Sequence, residues 1–583
     1  MEKWYLLNNL ENYKKIKDNP NFTSFQKLIL ANRDIIDDFS LNTFSNPKIE
    51  NMHNPLLMTD MEKGVEVLFE TILNNGKIRI VGDYDQDGVA ATVILLKGIG
   101  LFYKDISYAI PDRIEDGYGI NKNIIDNCIK DNIKLVITCD NGVSAIEAIE
   151  YAKENNIKVI VTDHHEPIVK ENIEILPNAD AVINPHRKND IYPFKDICGA
   201  MVAYKFIVAI YNLYGNKLGI DKNKIINLIQ FAALGTVCDM MKIVDENRIA
   251  LIEGLKIMNT SPNLGLKVLL EEINWQNDVN IYTIGFLIGP TINASGRIYT
   301  AMLGVELFLE TNPDIIKEYA ITLVELNNER KKLTTDAVKI ANENIISKKL
   351  DNNDIIVLYN ENFHESICGL VAGRIKDKYN RPTLVFTNSN TEGIIKGSGR
   401  SIKTYDMYTN LSLFRDYFES FGGHTMACGL SLKFENLDKF SYLINKESKL
   451  TSEDFMKDIE IDYNLSFNRI SNNLVSELDS LRPFGYGFNE PVFATKNVKI
   501  NSLKILGKNK NVVKLILNDK GSIKEAISFD IDLIIENLKQ KYGIEGQEDF
   551  YKLEGQYIDI VYKISINTYN GISNIQLNIV TLR

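Results

Sequence analysis

Between residues 77 and about 240, short continuously apolar runs alternate with amphipathic stretches. KIRIVG (77–82), KLVITC (134–139) and KVIVT (158–162) are the apolar runs, and VAATVILLKGIG and NGVSAIEAIEYAKENN are helix-like connections between them. Apolar runs without alternation mark strands buried on both faces, so the pattern predicts an α/β fold with a covered parallel sheet. From about 223 the pattern is helical, and 313–349 contains no Gly or Pro after Pro313, predicting one long connecting helix. A second α/β segment runs from DIIVLYN (354–360) through a helix over 366–379, RPTLVF, GIIKGSGRS and FGGHTMACGLSL (421–432). Beyond about 455, alternating strands with turn signals predict a small C-terminal β-barrel or sandwich. The polar, Asn-rich first 55 residues read as an appended arm. The expected organisation is therefore an arm over 1–55, a parallel-sheet domain over 56–312, the connecting helix 313–349, a second α/β domain over 350–454 and a β domain over 455–583.

Composition narrows the class. A chain of 583 residues has room for about four domains. With 45% hydrophobic and 25% charged residues it has the balance of a soluble globular protein. It contains no apolar run long enough to span a bilayer and its N-terminus lacks a signal-peptide pattern, so no membrane association is expected. Six cysteines without a C-x-x-C pair point to free thiols in a reducing cytoplasm. The net charge of −11 argues, by itself, against nucleic acid. The local balance differs: between 374 and 403, seven basic residues face only Asp377 and Glu392.

The chemistry lies where the predicted strands end. Asp83-Tyr84-Asp85-Gln86-Asp87-Gly88, Asp140-Asn141-Gly142 and Asp163-His164-His165 each follow one, and Asp239 follows the apolar FAALGTVC. Loops at the carboxyl ends of parallel strands share one crevice, so these acids are expected to converge. Several carboxylates in one cleft repel unless protons or cations neutralise them. Carboxylate and imidazole ligands suit Mn²⁺ or Mg²⁺, and two such ions support phosphoester hydrolysis. Blander readings exist for each piece. D-x-D-x-D-G resembles a calcium loop, but its twelfth position is Ile94 where glutamate is required. Asp140 or Asp239 alone is as readily a helix cap, and a His-His pair alone is more often structural. A dinucleotide-binding site is disfavoured, since the first strand leads into acids and not into G-x-G-x-x-G.

Taken in order, the motifs GDYDQDG (82–88), DRIEDGYG (112–119), CDNG (139–142), DHH (163–165), NP (184–185), GTVCDM (235–240), NASGR (293–297), HESICGLVAGRIKDKYNRP (364–382), GSGRS (397–401), FGGHTMACG (421–429) and PFGYG (483–487) closely resemble the RecJ single-stranded-DNA exonucleases of the DHH phosphoesterase superfamily. The resemblance implies a DHH catalytic domain, a substrate-binding DHHA1 domain and an OB-like C-terminal domain. It implies that Asp83, Asp85, Asp140, His164 and Asp239 hold two divalent ions, Mn²⁺ or Mg²⁺. His165 is then the group that orients a neighbour or contacts the scissile phosphate. Asp87 is a ligand or a supporting acid, and Asp163 holds a histidine tautomer.

The basic second segment suits a phosphodiester. Gly397-Ser398-Gly399-Arg400 is expected to bring backbone N–H groups and a bidentate arginine to an anion, and Gly423-His424 has similar character. Arg113, Arg297, Ser398 and Arg400 are the expected phosphate contacts, a terminal 5′-phosphate among them, and His364 is placed near the scissile region. Phe529, Tyr557 and Tyr562 are stacking candidates or core residues of the β domain. Two positions depart from the family pattern: Ser366 stands for a usual Gly and Phe488 for a usual Asn, which puts substrate preference in question more than metal chemistry. The expected activity is metal-dependent hydrolysis of single-stranded DNA, 5′ to 3′, in repair and recombination, with a single-strand-binding protein and a helicase as further partners. The alternatives are a DHH-type phosphodiesterase of short oligonucleotides or cyclic dinucleotides, and a non-catalytic DNA-binding scaffold.

Overall fold

The computed structural model describes residues 2–113, 117, 119–507, 510–569 and 572–583. Residues 114–116 and 118 of the DRIEDGYG motif, and 508–509 of the basic stretch after Leu506, lie outside the described residues. The chain forms two compact units: His53–Met241 with Ala250–Lys457, and Glu2–Met52 with Lys242–Ile249 and Asp458–Arg583.

The first unit contains two sheets. One is a five-stranded parallel sheet in the order Ile106–Ala109, Lys77–Val81, Ile133–Cys139, Lys158–Thr162, Ala181–Ile183. Val136, Val159 and Val161 join the core beneath helices Lys122–Lys130 and Ile146–Glu154. Their strand neighbours Leu135, Ile137 and Ile160 point to the opposite face and are equally buried. Burial on both faces accounts for the unbroken apolar runs. The chain runs from Lys77–Val81 to one side and then crosses to Ile133–Cys139 on the other. That reversal opens a crevice above the carboxyl ends of these two strands.

The predicted connecting helix is Pro313–Lys348, opened by the Asn312 side chain, which accepts from Asp314 N, and closed at Lys349 with φ 53°. At 1.5 Å per residue it is about 54 Å long. Its last turns carry Ala337, Ala341 and Ile345 into a core shared with Val371, Ile375, Leu358 and Val385 of the second α/β region. That region's sheet runs Phe418–His424, Ala427–Lys433, Ile394–Arg400, Thr383–Asn388, Ile356–Tyr359, with only the last pair parallel.

Here the structure corrects one expectation. The Gly397–Arg400 stretch is a paired strand, not an anion-cradling loop. Its alternation turns Lys396, Ser398 and Arg400 to one face and the glycines to the buried face. A Cβ on Gly397 would meet the Phe386 ring at 2.5 Å, and one on Gly399 would meet Met407 Sδ at 2.4 Å. The glycines make room for the core, and their N–H groups belong to the sheet.

In the second unit, the strands Phe493–Leu506, Val512–Asp519, Ser522–Ser528, Ile572–Leu582 and Tyr557–Tyr569 close on themselves through antiparallel pairing of the first with the last. Closure makes a barrel and removes free sheet edges. Tyr562 is core: its hydroxyl lies 2.9 Å from Thr495 Oγ1 and donates to Leu465 O. Phe529 and Tyr557 are exposed. The N-terminal residues pack within this unit, with Phe25 stacked on Phe493. Phe488 is buried beside Phe44 and Phe484, and the Arg248 guanidinium lies 4.0 Å from the Phe44 ring centroid. Arg248 also donates to the carbonyls of Leu481, Arg482 and Pro483. An aromatic ring at 488 is therefore a packing choice of this chain.

Candidate metal centre and phosphate cavity

The strand-end acids meet in one place. Asp85 caps helix Gln86–Ile99, its Oδ1 accepting from Asp87 N at 2.9 Å and Gly88 N at 3.1 Å. The acidic loop thus turns directly into a helix, as a calcium-binding loop does not. Asp87 is carried inward on the first turn of this helix. Its two oxygens accept from Gly199 N (2.6 Å) and Ala200 N (3.0 Å), the N-terminus of helix Gly199–Leu218. Asp140 holds a left-handed conformation, φ 62°, which Asp and Asn tolerate best among side chains. Asp239 sits at the opposite end of a helix, the C-terminus of Ile229–Cys238, where the dipole disfavours an anion. Such a position calls for a nearby cation and rules out a role as an N-cap.

His164 is the hub. Its Nε2 lies 3.1 Å from Asp140 Oδ1, 3.6 Å from Asp239 Oδ2 and 3.9 Å from Asp87 Oδ2. Three overlapping groups hold ligand atoms within 4.8 Å of one another: Asp83, Asp85 and Asp140; Asp87, His164 and Asp239; Asp140, His164 and His165. Asp83 Oδ1 and Asp239 Oδ2 are buried with no hydrogen-bond partner among the described residues. Buried carboxylate oxygens without donors are costly, and a divalent cation is the partner that fits them.

The electrostatics agree. Burial, and then the charge of Asp85, pushes the Asp83 carboxyl well above its usual range. Burial and Asp87 do the same to Asp140. Burial and neighbouring carboxylates raise Asp87 to about 6 and Asp239 to about 8. Burial lowers His164 to about 3, leaving a neutral imidazole free to ligate. His165 goes the other way: burial opposes its charge, but the Asp163 hydrogen bond and charge raise it to about 9. Asp163 Oδ1 accepts from His165 Nδ1, His165 N and His164 N, and Oδ2 accepts from Val143 N. Burial alone would raise Asp163, yet these donors and the His165 charge hold it below the ordinary carboxylate range. The donor set of hard oxygens and imidazole thus fits Mn²⁺ or Mg²⁺.

A cavity of about 280 Å³ in the same unit is lined by Tyr84, Arg113, Arg297, Ser366, Ser398 and Arg400, with Lys396 among its other walls. Arg113 lies over the Tyr84 ring at 4.6 Å, tying the cavity to the acidic loop. Arg297 Nη1 donates to Ser366 O at 2.8 Å, and Ser366 Oγ lies 2.7 Å from His364 Nδ1. The departure to Ser at 366 therefore ties down His364. Burial, with Arg113, Arg330 and Arg400 nearby, lowers Arg297 to about 9; it stays charged at neutral pH in a cluster that an anion would relieve. His364, Gly423 and His424 do not line this cavity. His364 caps the turn Glu365–Ile367, and Gly423 and His424 lie in the exposed strand Phe418–His424, whose Ser420 does line it.

Sequence reasoning missed three participants. Asn184 donates to His165 O at 2.8 Å and accepts from His186 N at 2.7 Å, clamping the histidine loop. His186 Nδ1 lies 3.1 Å from Glu166 Oε1. Asn293 Oδ1 accepts from Gln86 N at 2.6 Å and braces the acidic loop. The signal was present in the NP and NASGR motifs, but amide side chains that act through backbone groups carry no charge pattern to betray them.

Comparison with known proteins places this geometry. Residues 77–236 match the DHH family N-terminal domain, 352–449 the DHHA1 domain and 461–581 the RecJ OB domain. The single-stranded-DNA-specific exonuclease RecJ of Haemophilus influenzae is 33% identical over 553 residues, 91% of either chain. The Bacillus subtilis protein of the same name is 30% identical over 569 residues, 97% of this chain and 69% of the relative. Among solved structures, Thermus thermophilus RecJ in complex with Mn²⁺ superposes with a TM-score of 0.81 at 22% identity, covering all of this chain and 79% of the other. An exonuclease RecJ bound to manganese matches with a TM-score of 0.58 at 26% identity, over 68% of this chain and 96% of the other. The chain belongs to the RecJ family of single-stranded-DNA-specific exonucleases.

Proposed function

We propose that the protein is a metal-dependent exonuclease that hydrolyses phosphodiester bonds of single-stranded DNA from the 5′ end. The observation that carries this reading is the convergence of Asp83, Asp85, Asp87, Asp140 and Asp239 on His164, with buried carboxylate oxygens that lack donors. Asp83, Asp85, Asp140, His164 and Asp239 would hold the ions, with Asp87 bridging the site to helix Gly199–Leu218. When bound, two divalent ions supply Lewis acidity and an activated water at neutral pH.

The chain's own groups do the rest. Arg113, Arg297, Ser398 and Arg400 grip phosphate oxygens in the cavity. His165, kept protonated by Asp163, presents a cation to the charge that develops on the scissile phosphate. Asp163 accepts from His165 Nδ1–H, orienting the ring and leaving its Nε2–H for the substrate. A closed β-barrel suits a polymeric single strand. An enzyme that accepts only unpaired strands depends on a strand-separating activity, so a helicase and a single-strand-binding protein are proposed partners, in the cytoplasm. The test is digestion of single- and double-stranded DNA labelled at either end, with Mn²⁺, Mg²⁺ or EDTA. Release of 5′-terminal nucleotides from single strands, abolished by EDTA, is expected; equal digestion of duplex or release with EDTA present would overturn it.

A further inference from the structure

The segment that braces the acidic loop has a second face. Thr283–Ile288 is a wide π-helical turn, in which Gly289 N bonds Ile284 O, and it leads into the α-helix Gly289–Ile298. Pro290 has no N–H to continue an ordinary ladder, and a wider turn absorbs the missing donor. The inner side of the turn, Thr283, Ile284 and Ile288, is buried. It packs on the last turn of the helix that ends in Asp239: Cys238 Sγ lies 4.0 Å from Ile284 O, and a Cβ on Gly289 would meet that sulfur at 2.5 Å. The outer side is different. Tyr282 and Phe286 are 56% and 65% exposed, and their rings stack with centroids 5.0 Å apart and planes 21° from parallel.

Two large rings left in water, side by side, forgo burial that a core position would give them. They sit on the segment that connects the two halves of the site. One end packs beside Asp239, and the other carries Arg297, eleven residues beyond Phe286, into the phosphate cavity. Eleven helical residues span about 16 Å, a few nucleotides of a single strand. We infer that Tyr282 and Phe286 form a stacking platform for unpaired bases of the strand whose phosphates enter the metal centre. Every nucleobase has a π-face, so such a platform is tolerant of sequence and closed to paired bases, whose faces are already stacked. The inference rests on the single-strand nuclease reading and adds two residues and a mode of grip to it. An apolar protein segment is the competing occupant.

The test uses the full chain with Mn²⁺ and a hydrolysis-resistant phosphorothioate strand of twenty thymidines, with 2-aminopurine placed at successive positions. Wild-type protein should quench 2-aminopurine at a few adjacent positions. The Tyr282→Ala, Phe286→Ala double variant should lose that quenching and bind roughly tenfold or more weakly. Phe286→Trp should keep the affinity, and its indole fluorescence should be quenched by added strand; this arm decides the matter if the double variant does not fold. A double variant with wild-type affinity and quenching, or an indole indifferent to the strand, overturns the inference and leaves an apolar partner as occupant. Stacking in a protein that fails to digest unmodified strands would support the platform while overturning the nuclease reading.

Discussion

His165 Nδ1 lies 2.7 Å from Asp163 Oδ1, and the two residues carry opposite shifts: the imidazole is raised to about 9 and the carboxyl is held low. The pair is charged across the physiological range. A protonated histidine at the mouth of an anionic site is useful only while a carboxylate keeps it so.

Asp163→Asn removes that support. Activity that needs protonated His165 is lost as pH rises through the His165 value, so the variant's alkaline limb should move from near 9 toward neutral pH. The rate below that limb should fall roughly 10- to 100-fold, as for other changes behind a metal site. A pH–rate profile on a 5′-labelled strand checks both, and an unmoved alkaline limb would count against the assignment.

Asp140→Asn keeps the left-handed backbone that Asn tolerates and removes one charge from the centre. Hydrolysis should drop roughly 10³-fold or more, since metal stabilisation of the reacting phosphate is worth several kcal/mol. His164→Ala should do the same. Both should retain the circular dichroism spectrum of the folded parent; near-normal activity in either would sink the ligand assignment.

The metal-free protein should become less stable as pH rises. Asp87 at about 6 and Asp239 at about 8 are raised from an unfolded value of about 4, so the folded state holds extra protons between these limits. Their favourable contribution is complete below about 4 and is lost as pH climbs through about 6 and about 8. Thermal melts in EDTA should show a midpoint that declines from pH 5 to pH 8.5. Mn²⁺ should restore it most strongly at the alkaline end, and Asp239→Asn should flatten the decline. A metal-free midpoint that rises over this window would refute the burial argument.

Arg400→Ala removes one charge-assisted phosphate contact and should raise KM roughly 10- to 100-fold. If the cavity holds the terminal phosphate, strands with a 5′-phosphate should suffer more than strands with a 5′-hydroxyl. Kinetics on the two matched substrates measure this, and an equal loss on both would place Arg400 on an internal phosphate.

A length series from two to fifty nucleotides separates polymer digestion from a short-oligonucleotide phosphodiesterase. Catalytic efficiency should rise with length until the barrel unit is engaged; a maximum at two to four nucleotides would favour the smaller substrate.

Much of the site was legible because it sits where buried strands end. The apolar runs 77–82, 134–139 and 158–162 are unbroken since both sheet faces are covered, and the acids follow at the point where burial gives way to a crevice. Asp239 was legible as a candidate, but its place at a helix C-terminus was not, because the helix boundary depends on packing against Ile284 and Gly289. The Gly397–Arg400 stretch misled: glycines beside an arginine resemble an anion loop, and only the Phe386 and Met407 side chains packed beneath them reveal a tightly packed strand. Asn184, Asn293 and the exposed Tyr282–Phe286 pair act through backbone groups and ring geometry, which a one-dimensional pattern does not record.

The alternation in that strand has one more consequence. Small residues on one side and cavity-lining residues on the other are locked in phase, because successive side chains point in opposite directions. Deleting or inserting a single residue between Ile394 and Arg400 would exchange the faces, driving a guanidinium against Met407 and turning bare glycine toward the cavity. The DHHA1 region should therefore be intolerant of length changes here, and a deletion scan should find this strand as sharply defined as the strand-end acids.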